Sequence, residues 1–367
     1  MFSRRSNLFR VGITLIVIGV VQSMTAVEIE AGTWTQKADM PTAKWMSSAT
    51  VVDGKICVIG GSLWEYDSIA VVEEYDPATD TWARRADMPS TRYGHSVAAV
   101  DGIIYAIGGL DNHPHTRPQY VSTVEAYDPA ADKWTKKANM PVSRTQMATV
   151  ALDGKIYAIG GFNSVYIPPV IHSIVQVYDP ATDTWTRKAD MPTARAEAAA
   201  CVMDGRIYVS GGHIDVELES CVSTVEVYDP ATDTWTQASD MPWARRAHSA
   251  SVVDGKMYLV GGVNWEMIEL FLEGKIDEGK LDESFSTIDV YDAATDTWTT
   301  AADLPTPRCY HDDAVVDGRI YVIGGLDGPS TLLYTVEEFD PSLPGAISSV
   351  SPAGKLLETW GQIKKAQ

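Results

Sequence analysis

The sequence contains little basic charge and few signs of catalysis. Its 367 residues include 29 lysines and arginines against 49 aspartates and glutamates, a formal net charge of -20. An acidic surface repels phosphate backbones, so nucleic acid is not expected as a partner. No Gly-x-Ser-x-Gly nucleophile elbow occurs, although many hydrolases carry one. We expect no catalytic residues and no cofactor, and these absences favour a binding protein over an enzyme.

Cysteine is also scarce, with four residues in the chain. Cys57 and Cys201 fall in apolar runs that predict strands, whereas Cys221 and Cys309 fall near predicted loops. Buried free thiols are the expected state, and a Cys201–Cys221 disulfide is the alternative for an exported chain. No Cys, Asp or Glu group completes a metal-binding spacing around the two histidines of the sequence HPH, so no metal site is expected.

The N-terminal apolar run is too short for a membrane-spanning helix. Val11–Val21 has 11 residues, against roughly 20 for a spanning helix. Three arginines precede it and the small and polar residues QSMTA follow it. This order predicts a signal peptide over residues 1–26, cleaved after Ser23 or Ala26, with an uncleaved anchor as the alternative. The mature chain would be periplasmic, on the cell surface or secreted, without a membrane span.

A sixfold repeat occupies most of the rest of the chain. Each copy has an Asp-Gly pair, an apolar run and a double glycine, and then a second strand that ends in Tyr-Asp or Phe-Asp. Asp-Gly between apolar runs is a strong hairpin signal. In five copies a tryptophan follows the tyrosine after 7 residues. Each copy therefore predicts four short antiparallel strands, which we name a, b, c and d. The double glycines start at Gly60, Gly108, Gly160, Gly211, Gly261 and Gly324.

This order of motifs resembles the kelch repeat, which forms one blade of a β-propeller. The resemblance covers Thr33 to Asp340 and implies an all-β, six-bladed propeller of four-stranded blades over residues 27–345. It also suggests a bacterial, exported member of the family, which we expect to be monomeric. Residues 346–367 form a C-terminal tail outside the repeat, and residues 263–285 form an insert in blade 5.

The first and last repeats are incomplete in complementary ways. The propeller begins with a strand d segment around Trp34, and no strand a, b or c precedes it. At the other end, no tryptophan follows Phe339 at the expected place. We therefore predict that the N-terminal strand pairs with the Phe339 strand and closes the ring. Closure removes two open sheet edges, which would otherwise recruit other chains.

A basic residue stands 9 residues before the aspartate of each Asp-Gly pair. This regularity predicts a structural role, with an acid or carbonyl groups of a neighbouring blade as partners. His95, His248 and His311 follow it in three blades, and we expect them to bond the backbone rather than a metal. The double glycines are expected to let blades crowd together near the axis. The basic residues are Lys44, Arg92, Arg144, Arg195, Arg245 and Arg308.

Two sets of loops vary while the repeat frame stays constant: the loops from strand d to the next strand a, and those after the double glycines. In kelch propellers that bind peptides, these loops line the rim of the central cavity. The resemblance implies a ligand-binding rim of aromatic, amide and charged residues, which suits a protein, peptide or glycan. The rim residues are Trp45, Tyr93, Asn112, Gln146, Asn163, Glu197, His213, Arg246, Asn264 and Tyr310.

Three hypotheses of function follow. The first is a non-enzymatic, exported platform that binds a protein or glycan through the rim. The second is a carbohydrate epimerase or mutarotase of the sialic acid mutarotase type, with Glu197, Arg246 and His248 as acid–base candidates. It rests on shared architecture, which is a weak argument for function. The third is a structural cell-surface component that uses the tail and the blade 5 insert, where Trp265, Ile268 and Leu272 predict a short amphipathic helix.

Overall fold

A computed structural model of the protein describes residues 32–63, 67–112, 118–163, 170–215, 220–264, 284–328 and 331–343. The signal peptide, the blade 5 helix and the C-terminal tail, all predicted from sequence, lie outside the described residues. Within those ranges the chain forms thirty strands and no helix. No described helix could therefore cross a membrane.

The strands are numbered in chain order, and most have four or five residues. The first fifteen are β1 (Thr33–Lys37), β2 (Ser48–Val52), β3 (Lys55–Ile59), β4 (Val72–Asp76), β5 (Thr81–Arg84), β6 (Ser96–Val100), β7 (Ile103–Ile107), β8 (Leu110–Asp111), β9 (Gln119–Tyr120), β10 (Val124–Asp128), β11 (Lys133–Lys137), β12 (Ala148–Leu152), β13 (Lys155–Ile159), β14 (Phe162–Asn163) and β15 (Val170–Ile171). The second fifteen are β16 (Val175–Asp179), β17 (Thr184–Arg187), β18 (Ala199–Met203), β19 (Arg206–Ser210), β20 (Val225–Asp229), β21 (Thr234–Ala238), β22 (Ser249–Val253), β23 (Lys256–Val260), β24 (Ile288–Asp292), β25 (Thr297–Thr300), β26 (Asp312–Val316), β27 (Arg319–Ile323), β28 (Leu326–Asp327), β29 (Thr331–Leu332) and β30 (Val336–Asp340).

Six four-stranded antiparallel sheets form the blades of a propeller. From the axis outwards they are β2-β3-β4-β5, β6-β7-β10-β11, β12-β13-β16-β17, β18-β19-β20-β21, β22-β23-β24-β25 and β26-β27-β30-β1, which we number blades 1 to 6. The innermost strands of neighbouring blades contact one another in a closed circle. Short pairs β8-β9, β14-β15 and β28-β29 extend three of the loops. The predicted six-bladed, all-β architecture is confirmed.

Strand β1 closes the ring as its outermost strand. It pairs antiparallel with β30, and Trp34 lies opposite Phe339 while Thr33 lies opposite Asp340. The indole N–H of Trp34 donates to the Ala302 carbonyl of blade 5 at 3.2 Å. The first strand of the propeller therefore completes the blade that holds its last strand, as the complementary ends of the repeat predicted.

Apolar packing between blades holds the ring together. Between blades 2 and 3, Tyr105, Ile107 and Val124 pack in one buried cluster with Ile156 and Tyr178. Similar clusters lie at the other blade interfaces. Burial of this apolar area is the dominant favourable contribution to folding.

The four cysteines are free thiols. Cys57, Cys201 and Cys309 are buried and Cys221 is half-buried. Burial raises the pKa of Cys57 to about 12 and that of Cys309 to about 11. The structure therefore contains the expected free thiols and not the alternative Cys201–Cys221 disulfide.

A hydrogen-bonded latch reinforces five of the interfaces. In blade 2 the Tyr127 hydroxyl donates to the Asp132 carboxylate at 2.6 Å, and the Ala86 N–H of blade 1 donates to the same oxygen at 2.8 Å. The Trp134 indole N–H donates to the Ala86 carbonyl at 2.9 Å. Each latch therefore joins a tyrosine, an aspartate and a tryptophan to the preceding blade. The five tyrosines are Tyr75, Tyr127, Tyr178, Tyr228 and Tyr291.

Blade 6 keeps the tryptophan part of this latch, the hydrogen bond from Trp34 to Ala302, but lacks the tyrosine and the aspartate. Phe339 stands in place of the tyrosine, and Gly32 stands two residues before the tryptophan, where other blades have aspartate. A Cβ added at Gly32 would lie 2.1 Å from the Phe339 ring. The closing strand β1 is therefore held against β30 by close packing of the Phe339 ring on Gly32, and not by a tyrosine–aspartate hydrogen bond.

The two faces of the propeller differ in kind. Strands a and c run in the same direction, so the turns after them lie on one face, which we call the turn face. The loops from strand d to strand a, and from strand b to strand c, lie on the other, which we call the loop face.

The double glycines reach the loop face. Gly108 has φ of +62°, and a Cβ there would lie 2.6 Å from the Arg144 carbonyl of the next blade. This explains the requirement for glycine.

Candidate ligand-binding site

A circle of backbone hydrogen bonds surrounds the axis on the loop face. The residue two positions after each of the six basic residues of the repeat has a backbone φ angle between 50° and 58°. Its N–H donates to the carbonyl of the equivalent residue in the preceding blade, and the Met46 N–H closes the circle on Tyr310 at 3.3 Å. Left-handed backbone is uncommon outside glycine and often occurs at functional positions. The six residues are Met46, Gly94, Gln146, Glu197, Ala247 and Tyr310.

The basic residues lie beneath this circle and are fully buried. Arg92 donates to Glu125 at 2.7 Å and to the Gly108 carbonyl at 3.1 Å. Glu125 is on strand c of the blade that Arg92 leads into, so the expectation of a partner in a neighbouring blade was wrong. The loop turns back over its own blade, and the side chain therefore spans the inner strands of that blade. The pairs are Lys44–Glu73, Arg92–Glu125, Arg195–Glu226, Arg245–Asp289 and Arg308–Glu337.

Blade 3 departs from this pattern because its basic residue has an uncharged partner. Arg144 donates to the Gln176 amide oxygen at 2.8 Å and to the Gly160 carbonyl at 2.6 Å. Burial lowers the pKa of Arg144 to about 9. All six basic side chains are therefore buried and hydrogen-bonded within the blades, so none of them is available to contact a ligand.

The charged centre of the loop face is a cluster built from blades 4, 5 and 6. The Glu197 carboxylate accepts a hydrogen bond from Arg246 at 2.6 Å and from the Tyr310 hydroxyl at 3.0 Å. His213 Nδ1 lies 3.7 Å from the same carboxylate. Burial and the nearby Glu197 charge raise the pKa of Tyr310 well above its usual value. Tyr310 is therefore a neutral donor to Glu197 at physiological pH.

Trp45 extends this cluster to blade 1. Its ring meets the Tyr310 ring edge to face, with 5.4 Å between the centroids. Such arrangements add to the stabilisation from burial. A continuous path of side chains therefore crosses the loop face from Trp45 through Tyr310 and Glu197 to Arg246.

A cavity of about 120 Å³ lies on the axis beside this path. Met46, Gln146, Glu197 and Tyr310 line it, together with the three equivalent histidines. The Gln146 amide oxygen is buried and accepts no hydrogen bond in the described part of the chain. A buried acceptor of this kind costs free energy unless a partner satisfies it. A ligand group with an N–H or O–H donor would supply that partner.

Two of the three equivalent histidines form hydrogen bonds between blades. His248 Nε2 lies 3.0 Å from the Ser210 hydroxyl and His311 Nε2 lies 2.9 Å from the Ser249 hydroxyl, in each case in the preceding blade. Burial lowers the pKa of His95 and of His311 to about 3, so both rings are neutral. The hydrogen bonds of His248 and His311 go to serine side chains, where we had expected the backbone, and neither ring nitrogen of His95 has a hydrogen-bond partner in the described part of the chain. Across the described ranges, no three His, Cys, Asp or Glu residues are placed to hold a metal ion.

The ten rim residues divide by exposure. Five are buried: Tyr93, Asn163, Glu197, His213 and Arg246. Five are half-buried and reach the surface: Trp45, Asn112, Gln146, Asn264 and Tyr310. The structure brings Trp45, Glu197, His213, Arg246 and Tyr310 together, with Gln146 on the same cavity.

The other rim residues have contacts elsewhere on the loop face. The Tyr93 N–H donates to the Leu110 carbonyl at 3.0 Å. The Asn163 amide donates to the Ser143 carbonyl at 2.8 Å, which anchors its own loop. The Asn112 carbonyl accepts from the Ser68 N–H of blade 1 at 3.0 Å. These residues shape loops more than they converge on the axis.

Sequence reasoning missed the exposed apolar side chains of the loop face. Trp243 is 49% exposed and Tyr334 is 51% exposed. A signal for Trp243 was present, because the other blades have threonine, serine or valine at its position. Isolated exposed apolar residues are ordinary, but their distribution between the two faces is uneven. The loop-face residues are Leu63, Val170, Ile214, Trp243 and Tyr334, whereas the turn face has Leu343.

Two family models match the chain. The KLHDC2/KLHL20/DRC7 Kelch-repeats domain matches residues 87–262, and the Kelch motif matches residues 46–89, 244–305 and 307–343. Together they cover every blade. Propellers built from this motif generally act as protein-binding platforms.

Curated relatives carry the same repeats in longer chains. Kelch-like protein terF of Aspergillus terreus is 33% identical over 319 residues, which are 85% of this chain and 56% of that protein. Kelch-like protein 35 of Mus musculus is 29% identical over 57% of this chain and 32% of its own length. The chain thus spans about half or less of these relatives. The bacterial origin suggested by sequence stays a prediction.

A solved structure of YjhT shares the fold. It superposes with a TM-score of 0.69 at 18% identity and covers 82% of this chain and 96% of its own. At this level of identity the match concerns architecture alone. From the matched models, the relatives and the six blades, we conclude that the chain belongs to the kelch-repeat family of β-propellers.

Proposed function

We propose that the chain is a rigid binding platform whose loop face holds a protein ligand. One observation carries the proposal: five of the six large apolar side chains exposed among the described residues lie on the loop face. Exposed apolar groups beside polar ones are characteristic of protein interaction sites. The circle of backbone hydrogen bonds fixes the loops from strand d to strand a, one of which carries Trp243. Backbone hydrogen bonds such as that from the Ala196 N–H to the His213 carbonyl, at 3.1 Å, attach the loops from strand b to strand c to them, so little ordering entropy would be lost at these attachment points on binding.

The turn face lacks the variety that recognition requires. Its turns repeat the same aspartate, glycine and threonine residues in successive blades. Such a surface is well solvated and presents nearly the same chemistry in six directions. The loop face differs in every blade, which is the property expected of a surface that selects one partner.

The chemistry of the loop face suggests the kind of ligand. Trp45, Trp243 and Tyr334 offer aromatic surface, and Gln146 offers an acceptor without a partner. An extended peptide with apolar side chains and free backbone N–H groups fits both features. A glycan would fit the same aromatic and polar mixture and is the alternative ligand.

The proposal is tested by selecting ligands from a peptide display library and a glycan array. We expect the native chain to enrich a peptide consensus. A triple variant with Ile214→Ala, Trp243→Ala and Tyr334→Ala should bind those peptides roughly tenfold or more weakly. Leu343→Ala removes an apolar side chain of the turn face and serves as the control. An equal loss of peptide affinity in the triple variant and in Leu343→Ala would refute the proposal. The absence of an enriched ligand in either screen would also refute it.

A second candidate is a carbohydrate epimerase or mutarotase. It is favoured by the Glu197 carboxylate, the Tyr310 hydroxyl and His248 lining one cavity. At about 120 Å³ the described cavity is smaller than typical ligand pockets of roughly 300–1,000 Å³, so it ranks second. Proton NMR of freshly dissolved sugar anomers tests it. An enzyme would accelerate equilibration, and Glu197→Gln would abolish the acceleration.

Export is the remaining part of the proposal. The apolar run in residues 1–26 and the preceding arginines support a cleaved signal peptide. Expression in a host with a secretion system, followed by intact-mass measurement, would reveal a chain that begins at Met24 or Val27. A chain that retains its first residues in the soluble cytoplasmic fraction would contradict this.

A further inference from the structure

Six residues lie at one level of the channel wall, one from the innermost strand of each blade. Each is the second residue of strand a and pairs with the fourth residue of strand b. All six line a cavity of about 230 Å³ on the axis. We call them the channel ring, which consists of Ala49, Val97, Thr149, Ala200, Ala250 and Asp313.

The channel ring has two polar members, which face each other across the axis. Asp313 belongs to blade 6 and Thr149 to blade 3, so two blades lie between them in either direction around the ring. The other four members are alanine or valine. The Thr149 hydroxyl is buried and has no hydrogen-bond partner within the described ranges. A buried hydroxyl of this kind costs free energy until a partner satisfies it.

Asp313 is positioned from blade 5 but is not neutralised there. The Ser251 hydroxyl donates to one carboxylate oxygen, and Ser249 also hydrogen-bonds to the carboxylate. Asp313 is half-buried, so part of the carboxylate remains open to the channel. Among the described residues, no lysine or arginine forms an ion pair with it. The carboxylate therefore has a fixed position and an uncompensated charge.

The neighbouring Asp312 adds to the negative charge at this level. It lines the same cavity and accepts a hydrogen bond from Ser47 of blade 1. The nearby Lys44 is already paired with Glu73 at 2.8 Å. Burial raises the pKa of both aspartates. A cation in the cavity would favour their ionised forms, and the ionised carboxylates would in turn hold the cation.

His311 supplies a further acceptor beside the channel ring. Its Nε2 lies 2.9 Å from the Ser249 hydroxyl. Because the Ser249 proton is directed to Asp313, Nε2 carries the histidine hydrogen and Nδ1 is left as an acceptor. His311 is 8% exposed, and its Nδ1 has no partner in the part of the chain that the structure describes. The Gln146 amide oxygen at the mouth is an acceptor of the same kind.

These groups define the chemistry of the ligand. They are acceptors without donors, and they lie beside an unpaired carboxylate, so the complementary group is a cation with several N–H donors. A primary ammonium has three such donors. At about 30 Å³ for each water molecule, the cavity of about 230 Å³ has room for the ammonium and a short alkyl chain. An anionic ligand would be repelled.

We propose that the axial channel is a binding site for a primary alkylammonium group, which donates to the Asp313 carboxylate and to the Thr149 hydroxyl across the axis. The cavity at the loop-face mouth and the cavity at the channel ring share His95, His248 and His311, so the site is reached from the loop face. The ammonium belongs to a free small amine or to a lysine side chain of the loop-face ligand. The site does not depend on the proposed protein ligand, because a free amine is sufficient to occupy it.

Saturation-transfer NMR with n-butylammonium tests this proposal, at a mildly alkaline pH where Asp313 is ionised. We expect saturable binding to the native chain and none of 1-butanol, which has the same alkyl chain without the charge. Asp313→Asn should weaken n-butylammonium binding about fivefold or more, because a hydrogen bond to a charged group is lost. Asp101→Asn makes the same change of net charge at an exposed turn-face aspartate and should leave the affinity unchanged.

A second variant tests the bridge across the axis without a change of charge. Thr149→Val keeps the shape of the side chain and removes the hydroxyl, and we expect it to weaken n-butylammonium binding about threefold. Circular dichroism of each variant reports whether the propeller is folded. The proposal is overturned by equal losses in Asp313→Asn and Asp101→Asn, by an unchanged affinity of Thr149→Val, by equal binding of 1-butanol, or by no binding to the native chain.

The peptide selection distinguishes the two sources of the ammonium. A lysine in the enriched consensus, whose replacement by norleucine weakens binding to the native chain but not to Asp313→Asn, assigns the group to the loop-face ligand. Binding of n-butylammonium at Asp313 without a lysine in the consensus assigns it to a free amine. A failure of the selection would refute the protein ligand and would leave the ammonium site standing on the n-butylammonium measurements.

Discussion

The tyrosine at the end of strand c packs in the core between blades, and its hydroxyl also takes part in hydrogen bonds that link two blades. Tyr127 is fully buried, yet its hydroxyl reaches the Asp132 carboxylate, which also accepts the N–H of the preceding blade. A hydroxyl in such a position is oriented by a charged acceptor, and hydrogen bonds of this type are stronger than neutral ones. The sequence signature Tyr-Asp-Pro to Trp thus encodes a contact between blades.

Replacement of Tyr127 by phenylalanine should weaken this interface. We expect Tyr127→Phe to lower the free energy of unfolding by roughly 1 kcal/mol, because the hydrogen bond is lost but Asp132 remains solvated. Urea denaturation followed by tryptophan fluorescence measures the change. The reverse substitution, Phe339→Tyr, is the comparison. It should also destabilise, because Gly32 provides no acceptor, and a gain in stability there would contradict the latch.

Asp312 should make stability depend on pH near neutrality. Burial raises its pKa to about 7, although a hydrogen bond from Ser47 and the charge of Lys44 act against the shift. The unfolded value is about 3.9, so the penalty for ionising this group is absent below about pH 4 and complete above about pH 7. We expect Asp312→Asn to be more stable than the native chain at pH 8.

The difference between Asp312→Asn and the native chain should disappear as the pH falls to about 4, since both side chains are then neutral. Urea midpoints measured from pH 4 to pH 8 provide the test. Asp87→Asn, which removes an exposed carboxylate paired with Arg84, is the control and should show no such trend. A constant difference across this range would be inconsistent with the buried Asp312.

Strand β1 is the element on which ring closure depends. Deletion of residues 27–41 should leave blade 6 with β30 as an open edge, and open edges associate with other chains. We expect aggregates by size-exclusion chromatography with light scattering. A chain that lacks only residues 1–26 keeps β1 and should behave as the closed propeller does. A soluble deletion variant of unchanged size would show that β1 is dispensable.

The elements of the frame could be predicted because each one repeats. Six copies of the same turn and strand signals fix the blades, and the incomplete copies at Trp34 and Phe339 identify the closing strand. The partners of the basic residues could not be predicted in this way. They depend on the path of a loop, and the loop turns back over its own blade.

The candidate site was predictable as a set of loops but not as a set of contacts. Glu197, Arg246 and Tyr310 are 49 to 113 residues apart and meet only because three blades surround one axis. Repeat position indicated that they share a face. Their exposure, and the contact of Trp45 with Tyr310, depend on side-chain packing that no local pattern encodes.

At the scale of the whole molecule, the latch aspartates should make the propeller sensitive to acid. A hydrogen bond from the latch tyrosine and then one from a backbone N–H hold the pKa of each carboxyl below its usual value. The stability that they contribute is therefore present above about pH 4 and is lost as the pH falls further. We expect the free energy of unfolding to decrease between pH 5 and pH 3.

A double variant isolates the latches from other carboxylates. Tyr127→Phe with Tyr178→Phe removes two of the five tyrosine donors and should reduce the decrease between pH 5 and pH 3. The measurement is the urea midpoint at each pH. An identical decrease in the native and variant chains would assign the acid sensitivity to other groups.

The pairing of β1 with β30 is the seam that closes the ring, and its position also decides how the molecule responds to mechanical force. Thr33 and Asp340 pair at the turn face, where the described chain begins and ends. Tension applied between these two points would pull β1 from β30 one hydrogen bond at a time, as a zipper opens, instead of shearing all the bonds together. The seam also lacks the tyrosine–aspartate latch. The propeller should therefore yield at low force at its seam while blades 1 to 5 stay folded.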